Sequence, residues 1–115
     1  MIFKKEQRKD TVKSNVLGGT GDIYFKEIVG KDLLKAGRLF STITLPPKSA
    51  FGFHEHNGEF EVFYVVSGNG IYNDNGKEFP VEPGDVTYCP SGTGHFIKND
   101  GNEDLVLVAL ILDEK

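Results

Sequence analysis

The sequence predicts a single all-β domain, a sandwich or a barrel. Strand-forming aromatics are plentiful, with nine Phe and four Tyr, and the Gly count is 14. Short apolar segments recur at roughly 8–12-residue spacing with turn residues between them, which is the pattern of such folds. At 115 residues the chain has the length for one domain and one modest core.

Taken in order, residues 1–22 read as an N-terminal arm or edge strand, and residues 23–113 as the barrel. In the arm, Lys4, Lys5, Arg8, Lys9 and Lys13 are interleaved with Glu6 and Asp10, a solvated pattern. Residues 16–21 form a glycine-rich turn. A strand over 22–29 puts Ile23 and Phe25 on one side. Residues 31–37 suit a helical turn, too short to stand alone. Residues 39–45 alternate cleanly, and Pro46-Pro47 ends them. Further strands are expected at 50–56, 59–66, 71–72, 77–81, 86–89, 95–98 and 105–112. Asn57-Gly58 is a two-residue hairpin signal.

The net charge of −4 gives no basic face for nucleic acid. No apolar run reaches 18 residues and no signal-peptide core is present, so no membrane association is expected. The single cysteine, Cys89, forms no intrachain disulfide and reads as a small buried hydrophobe. A cytoplasmic setting is expected.

The chain has three histidines. His54 and His56, two apart, fall on one face of a strand. If Asn57-Gly58 closes a hairpin, His56 faces Glu59 and His54 faces Glu61. Two His and two Glu then share a face, which is costly in an interior without a cation. The alternative is an outward polar face, but the same face runs on into Phe63 and Val65. Imidazole and carboxylate suit a divalent metal. His95 is remote in sequence, and only a closed barrel brings it to the others.

Residues 47–99 resemble the cupins. The first cupin motif appears as His54, His56, Glu61 and Gly68, and the second as Gly84, Pro90, Gly92, His95 and Asn99. The resemblance implies a double-stranded β-helix, or jelly roll. It also implies one divalent metal per chain on His54, His56, Glu61 and His95, with manganese or iron favoured and nickel or zinc as alternatives. One position departs: the glycine that usually opens the first motif is Lys48, a solvated loop residue or a cation near the mouth.

The function implied is that of a metal-dependent enzyme on a small organic substrate, of dioxygenase, decarboxylase, isomerase or lyase type. The alternative is a non-catalytic metal- or ligand-binding cupin. Glu59 is the candidate general base or outer-sphere group, since the hairpin aims it at the pocket mouth. Phe51, Tyr72 and Tyr88 are candidate pocket residues. Oxalate chemistry is disfavoured, because the arginine typical of that group three residues before the first motif histidine is Phe51 here. Small cupins commonly pair, and the apolar segment 105–112 offers a strand for a partner to cover, so a homodimer is expected.

Overall fold

The computed structural model describes residues 1–115 and contains two antiparallel sheets. The strands are β1 (Asp10–Ser14), β2 (Asp22–Glu27), β3 (Gly37–Leu45), β4 (His54–His56), β5 (Glu59–Ser67), β6 (Gly70–Asp74), β7 (Lys77–Val81), β8 (Val86–Cys89), β9 (Thr93–Lys98) and β10 (Leu105–Asp113). One helical turn, α1 (Lys31–Leu34), links β2 to β3. The larger sheet runs β1-β2-β3-β10-β5-β8 and the smaller β4-β9-β6-β7. No helix is long and apolar enough to cross a membrane.

Alternation decides which side chains meet between the sheets. Ile43 and Leu45 of β3, Phe63 and Val65 of β5, and Leu105, Leu107 and Ala109 of β10 point inward and are buried. Ile23 of β2 and Ile97 of β9 close the core. Arg8 ties the N-terminal arm down by donating to the carbonyls of Lys26 and Glu27 and to the Thr42 hydroxyl.

Two expectations change. Asn57-Gly58 makes a tight turn, with Gly58 at φ +76°, but closes no ladder. A strand has only two edges, and those of β5 are taken by β10 and β8. β4 therefore crosses to the other sheet and pairs with β9, so His54 faces His95 and not Glu61. The expected strand over 50–56 is accordingly reduced to β4. Residues before it are held singly, with Phe51 N–H on the Ile97 carbonyl and Gly52 N–H on the Val16 carbonyl.

The second change concerns β10. It is the middle of the larger sheet, flanked by β3 and β5, and not an edge awaiting a partner. Its inward residues are buried in the core, and its outward residues, Val106, Val108, Leu110 and Leu112, are half-buried among the neighbouring strands.

Candidate metal centre

The centre lies where β4, β5 and β9 meet. The β4–β9 register sets His54 opposite His95, and His56 shares their face two residues on. Glu61 comes from the other sheet, on the inward side of β5 with Phe63 and Val65. One donor atom from each of His54, His56, Glu61 and His95 lies within 4.8 Å of all the others. Nε2 of His56 is 3.1 Å from Nε2 of His95, and both are 3.0 Å from Oε1 of Glu61.

Each imidazole is oriented by its other nitrogen. Nδ1 of His54 lies 2.8 Å from the Gly52 carbonyl oxygen, Nδ1 of His56 2.6 Å from Glu59 Oε2, and Nδ1 of His95 2.7 Å from the Tyr72 hydroxyl. A carbonyl and a carboxylate only accept, so the Nδ1 atoms of His54 and His56 carry protons. Their Nε2 atoms are left with lone pairs. The Tyr72 hydroxyl is placed to accept the same bond from His95.

Lone pairs this close repel unless a cation lies among them. A six-coordinate ion with bonds of about 2.1 Å sets neighbouring donors about 3.0 Å apart, whereas a tetrahedral ion sets them about 3.4 Å apart. The 3.0–3.1 Å spacing of the His56, Glu61 and His95 donors is of the size of the former, with the His54 donor within 4.8 Å of them. Three imidazoles and a carboxylate suit a first-row divalent ion.

The surroundings are dry. His56, Glu61 and His95 are all at most 5% exposed. The Phe63 ring stacks on His95, with centroids 5.3 Å apart and planes at 9°. In the metal-free site burial pushes the Glu61 pKa up, but hydrogen bonds that His56 and His95 donate when their Nε2 atoms are protonated outweigh this and hold it below the usual carboxylate value. The hydrogen bond with Glu61 in turn raises His56. Burial pushes His54 down and keeps it neutral.

Glu59 stands outside the cluster. Its two oxygens accept from Nε and a terminal nitrogen of Arg38, both at 2.8 Å. Arg38, and after it His56, pull the Glu59 carboxyl down to about 2. It is thus a permanently ionised partner of His56.

A cavity of about 280 Å³ opens on His54, His56 and Glu61. Eight of its 14 lining residues are hydrophobic, among them Phe25, Leu39, Phe51 and Phe63. Phe51, a candidate pocket residue, is among those that line this cavity. Phe53 is half-exposed and packs against Gly94 instead. Tyr72 is buried behind His95 and Tyr88 is exposed on the outer sheet face, stacked on Phe60, so neither lines the cavity. Alternation explains Tyr88: it points away from its inward neighbours Thr87 and Cys89. Lys48 also lies away from the mouth, its N–H bonded to the Asn99 carbonyl. Cys89 is buried, with Sγ against Thr93, and burial pushes its thiol up.

Sequence reasoning missed Lys13, Val16, Leu17 and Arg38, all of which line the cavity. Lys13 looks like any base of a solvated arm. Only its register reveals it: it pairs with Ile23, a fully buried residue, and so sits on the inward face.

Comparison with known proteins agrees with this architecture. The family model of the Cupin domain matches residues 41–111. The "Oxalate-binding protein" of Thermotoga maritima is 42% identical over 113 residues, 97% of this chain and 93% of the relative. A crystal structure of a predicted oxalate decarboxylase from the same organism superposes with a TM-score of 0.94 at 37% identity, covering 99% of this chain and all of the other. Oxalate decarboxylase OxdC of Bacillus subtilis is 30% identical over 77 residues, 63% of this chain but only 20% of that longer enzyme. From the two motifs, the two-sheet barrel and these matches, the chain belongs to the cupin family.

Proposed function

We propose that this protein binds a small organic carboxylate at one divalent metal ion, manganese or iron, held by His54, His56, Glu61 and His95. One observation carries the reading. Donor atoms of His56, Glu61 and His95, drawn from both sheets, converge at 3.0–3.1 Å with that of His54 within 4.8 Å, the outward nitrogens are already bonded, and the cluster faces a largely apolar cavity. Nickel or zinc would suit the same donors. The ligand class is supported by the relative named "Oxalate-binding protein".

The metal, when bound, would supply Lewis acidity and, as iron or manganese, redox chemistry. The chain's own residues orient and exclude. Gly52, Glu59 and Tyr72 hold the three rings, while Phe51 and Phe63 keep water from the buried side. Binding, more than turnover, is what these residues support. Glu59, held at about 2 and committed to Arg38 and His56, is too weak a base near neutral pH. The Tyr72 phenol is committed to His95 and burial pushes its pKa up.

An enzyme on the same small acid is the second reading. It is favoured by the four-donor set, since four protein ligands on a six-coordinate ion leave two positions for substrate or oxygen. Both readings are tested together. Tag-free protein and His54→Ala are compared by elemental mass spectrometry, then titrated with oxalate and assayed for products. The expected result is about one metal equivalent in the wild type, its loss in the variant, and metal-dependent binding of oxalate that is recovered unchanged. Equal metal in both proteins removes the site, and product formation moves the function to the enzyme.

The same proposal includes a cytoplasmic setting, which the unpaired Cys89 thiol fits. It also includes a homodimer, now through the outer face of the larger sheet, where Tyr64, Val66, Val86 and Tyr88 stand exposed.

A further inference from the structure

Four charged residues border the cavity besides the histidines: Lys13, Arg38, Glu55 and Glu61. Glu61 belongs to the metal cluster, and Arg38 is neutralised by both oxygens of Glu59. Lys13 is different. It forms no ion pair with any carboxylate, Glu55 included; the lysine pairs of the chain are Lys26–Asp10 and Lys98–Glu78. Its ammonium rests over the Phe25 ring, 4.9 Å from the centroid. That contact orients a cation without neutralising it.

The wall between Lys13 and the cluster is continuous and apolar. Phe25 meets Phe51 edge-on at 6.0 Å, and Phe51 lies 6.5 Å from the His54 ring. The cavity thus has a metal-facing end, an aromatic middle and a free cation at its far side. A ligand as short as oxalate places both carboxylates at the metal end and leaves Lys13 without a partner.

We propose that Lys13 is the seat for a second, distal acidic group. The matching ligand has a metal-binding carboxylate head, a short apolar body and an anionic tail. The inference rests on the metal-carboxylate reading above and adds to it the ligand's length and its second charge. Lys13 acts here as a specificity residue contributed by the N-terminal strand, not as a catalytic one.

Two pairs of 2-oxo acids test this, since within each pair the head and chain length are the same. They are 2-oxoglutarate against 2-oxopentanoate, and 2-oxoadipate against 2-oxohexanoate. Calorimetry on manganese-loaded protein reads affinity, and elemental analysis of the same samples reads metal. The wild type is expected to prefer the diacid by about tenfold in at least one pair, the size of one charge-assisted contact. Lys13→Met keeps the packing on Phe25 and should erase that preference while leaving monoacid affinity and metal content unchanged. Lys13→Arg should retain it. A full metal count with no diacid preference, or a preference that survives in Lys13→Met, overturns the Lys13 seat alone. A metal count near zero in the wild type overturns the metal reading and this inference with it.

Discussion

Glu59 Oε2 lies 2.6 Å from Nδ1 of His56, on the side of the ring that faces away from the cluster. Arg38 clamps the same carboxylate with two bonds of 2.8 Å. The three residues form a relay that fixes the His56 ring and its proton. Losing such an outer partner typically weakens a metal site by about 10–100-fold. Glu59→Ala is expected to show a loss of that size in competition with a fluorescent chelator. Glu59→Gln keeps an accepting oxygen but lacks the charge, so it should fall between. Wild-type metal affinity in both variants would remove the orienting role.

Tyr72 plays the matching part for His95, across a 2.7 Å bond in a buried place. Tyr72→Phe leaves the ring in the core and deletes only the oxygen. The His95 Nδ1 proton then has no acceptor, a cost of about 1–3 kcal/mol. Part should appear as a lower melting temperature of the metal-free protein and part as weaker metal binding. A substrate-contact role would instead lower ligand affinity with metal binding intact, so chelator competition and ligand titration on one variant separate the two.

The motif glycines differ in what they do, and their alanine variants should differ accordingly. Gly84 has φ +95° with open space around the position of a Cβ. Its substitution carries only the left-handed backbone cost, about 1–2 kcal/mol. Gly68 has φ +80°, and a Cβ there would run into the Asp104 carbonyl. That neighbour is backbone and cannot swing aside. Gly68→Ala should therefore be clearly less stable than Gly84→Ala in urea unfolding; equal midpoints would contradict the close approach.

Asn99 ends the second motif and is buried to 1% exposure. Its side chain donates to the carbonyls of Leu45 and Glu103 and accepts from Gly101 N–H. It joins the end of β3 to the turn before β10. Asn99→Ala strands these buried groups, and several kcal/mol of lost stability are expected at about 1–3 kcal/mol for each unsatisfied group. For a domain of this size the melting temperature should drop by roughly 10 °C or more. A shift of a degree or two would show that water replaces the side chain there.

How much of this was legible follows from what each residue's position depends on. The four candidate metal donors are readable because their spacing is set by strand alternation and by fixed turns, both local properties. The sheet switch at Asn57-Gly58 is not readable, because it depends on β5 having both edges filled by strands far along the chain. Glu59 reaches His56 all the same, since the tight turn keeps them close while redirecting the strand. Lys13 and Arg38 are hidden for a related reason: a base in an arm and a base at a strand start look solvated until their partners, Ile23 and Glu59, are known. Tyr72 and Tyr88 share a residue type, and only inward or outward alternation separates their fates.

The proposed homodimer is best located by asking which apolar surface remains after folding. β10 is covered on both edges, so its outward residues Val106, Val108, Leu110 and Leu112 need a face and not an edge. The register lines them up with neighbours of the same kind. Phe40, Leu110, Val62 and Tyr88 form one row, and Thr42, Val108, Tyr64 and Val86 the next. Three strands of nine residues and the four-residue β8, about 4.8 Å apart, present roughly 500 Å² in projection. With side-chain relief this approaches the ~800 Å² per partner of a stable interface. The rows themselves contain no charged residue, and Arg8 meets them only at Thr42, where it donates to the hydroxyl, so a second copy meets the Leu110 and Val108 centre of the face without like-charge repulsion. Tyr64→Lys or Val86→Lys places a charge among these rows. Light scattering at micromolar concentration should give a dimer for the wild type and a monomer for either variant, with metal content unchanged because both side chains point away from the cluster. A monomeric wild type, or variants that remain dimeric, would move the interface elsewhere or abolish it.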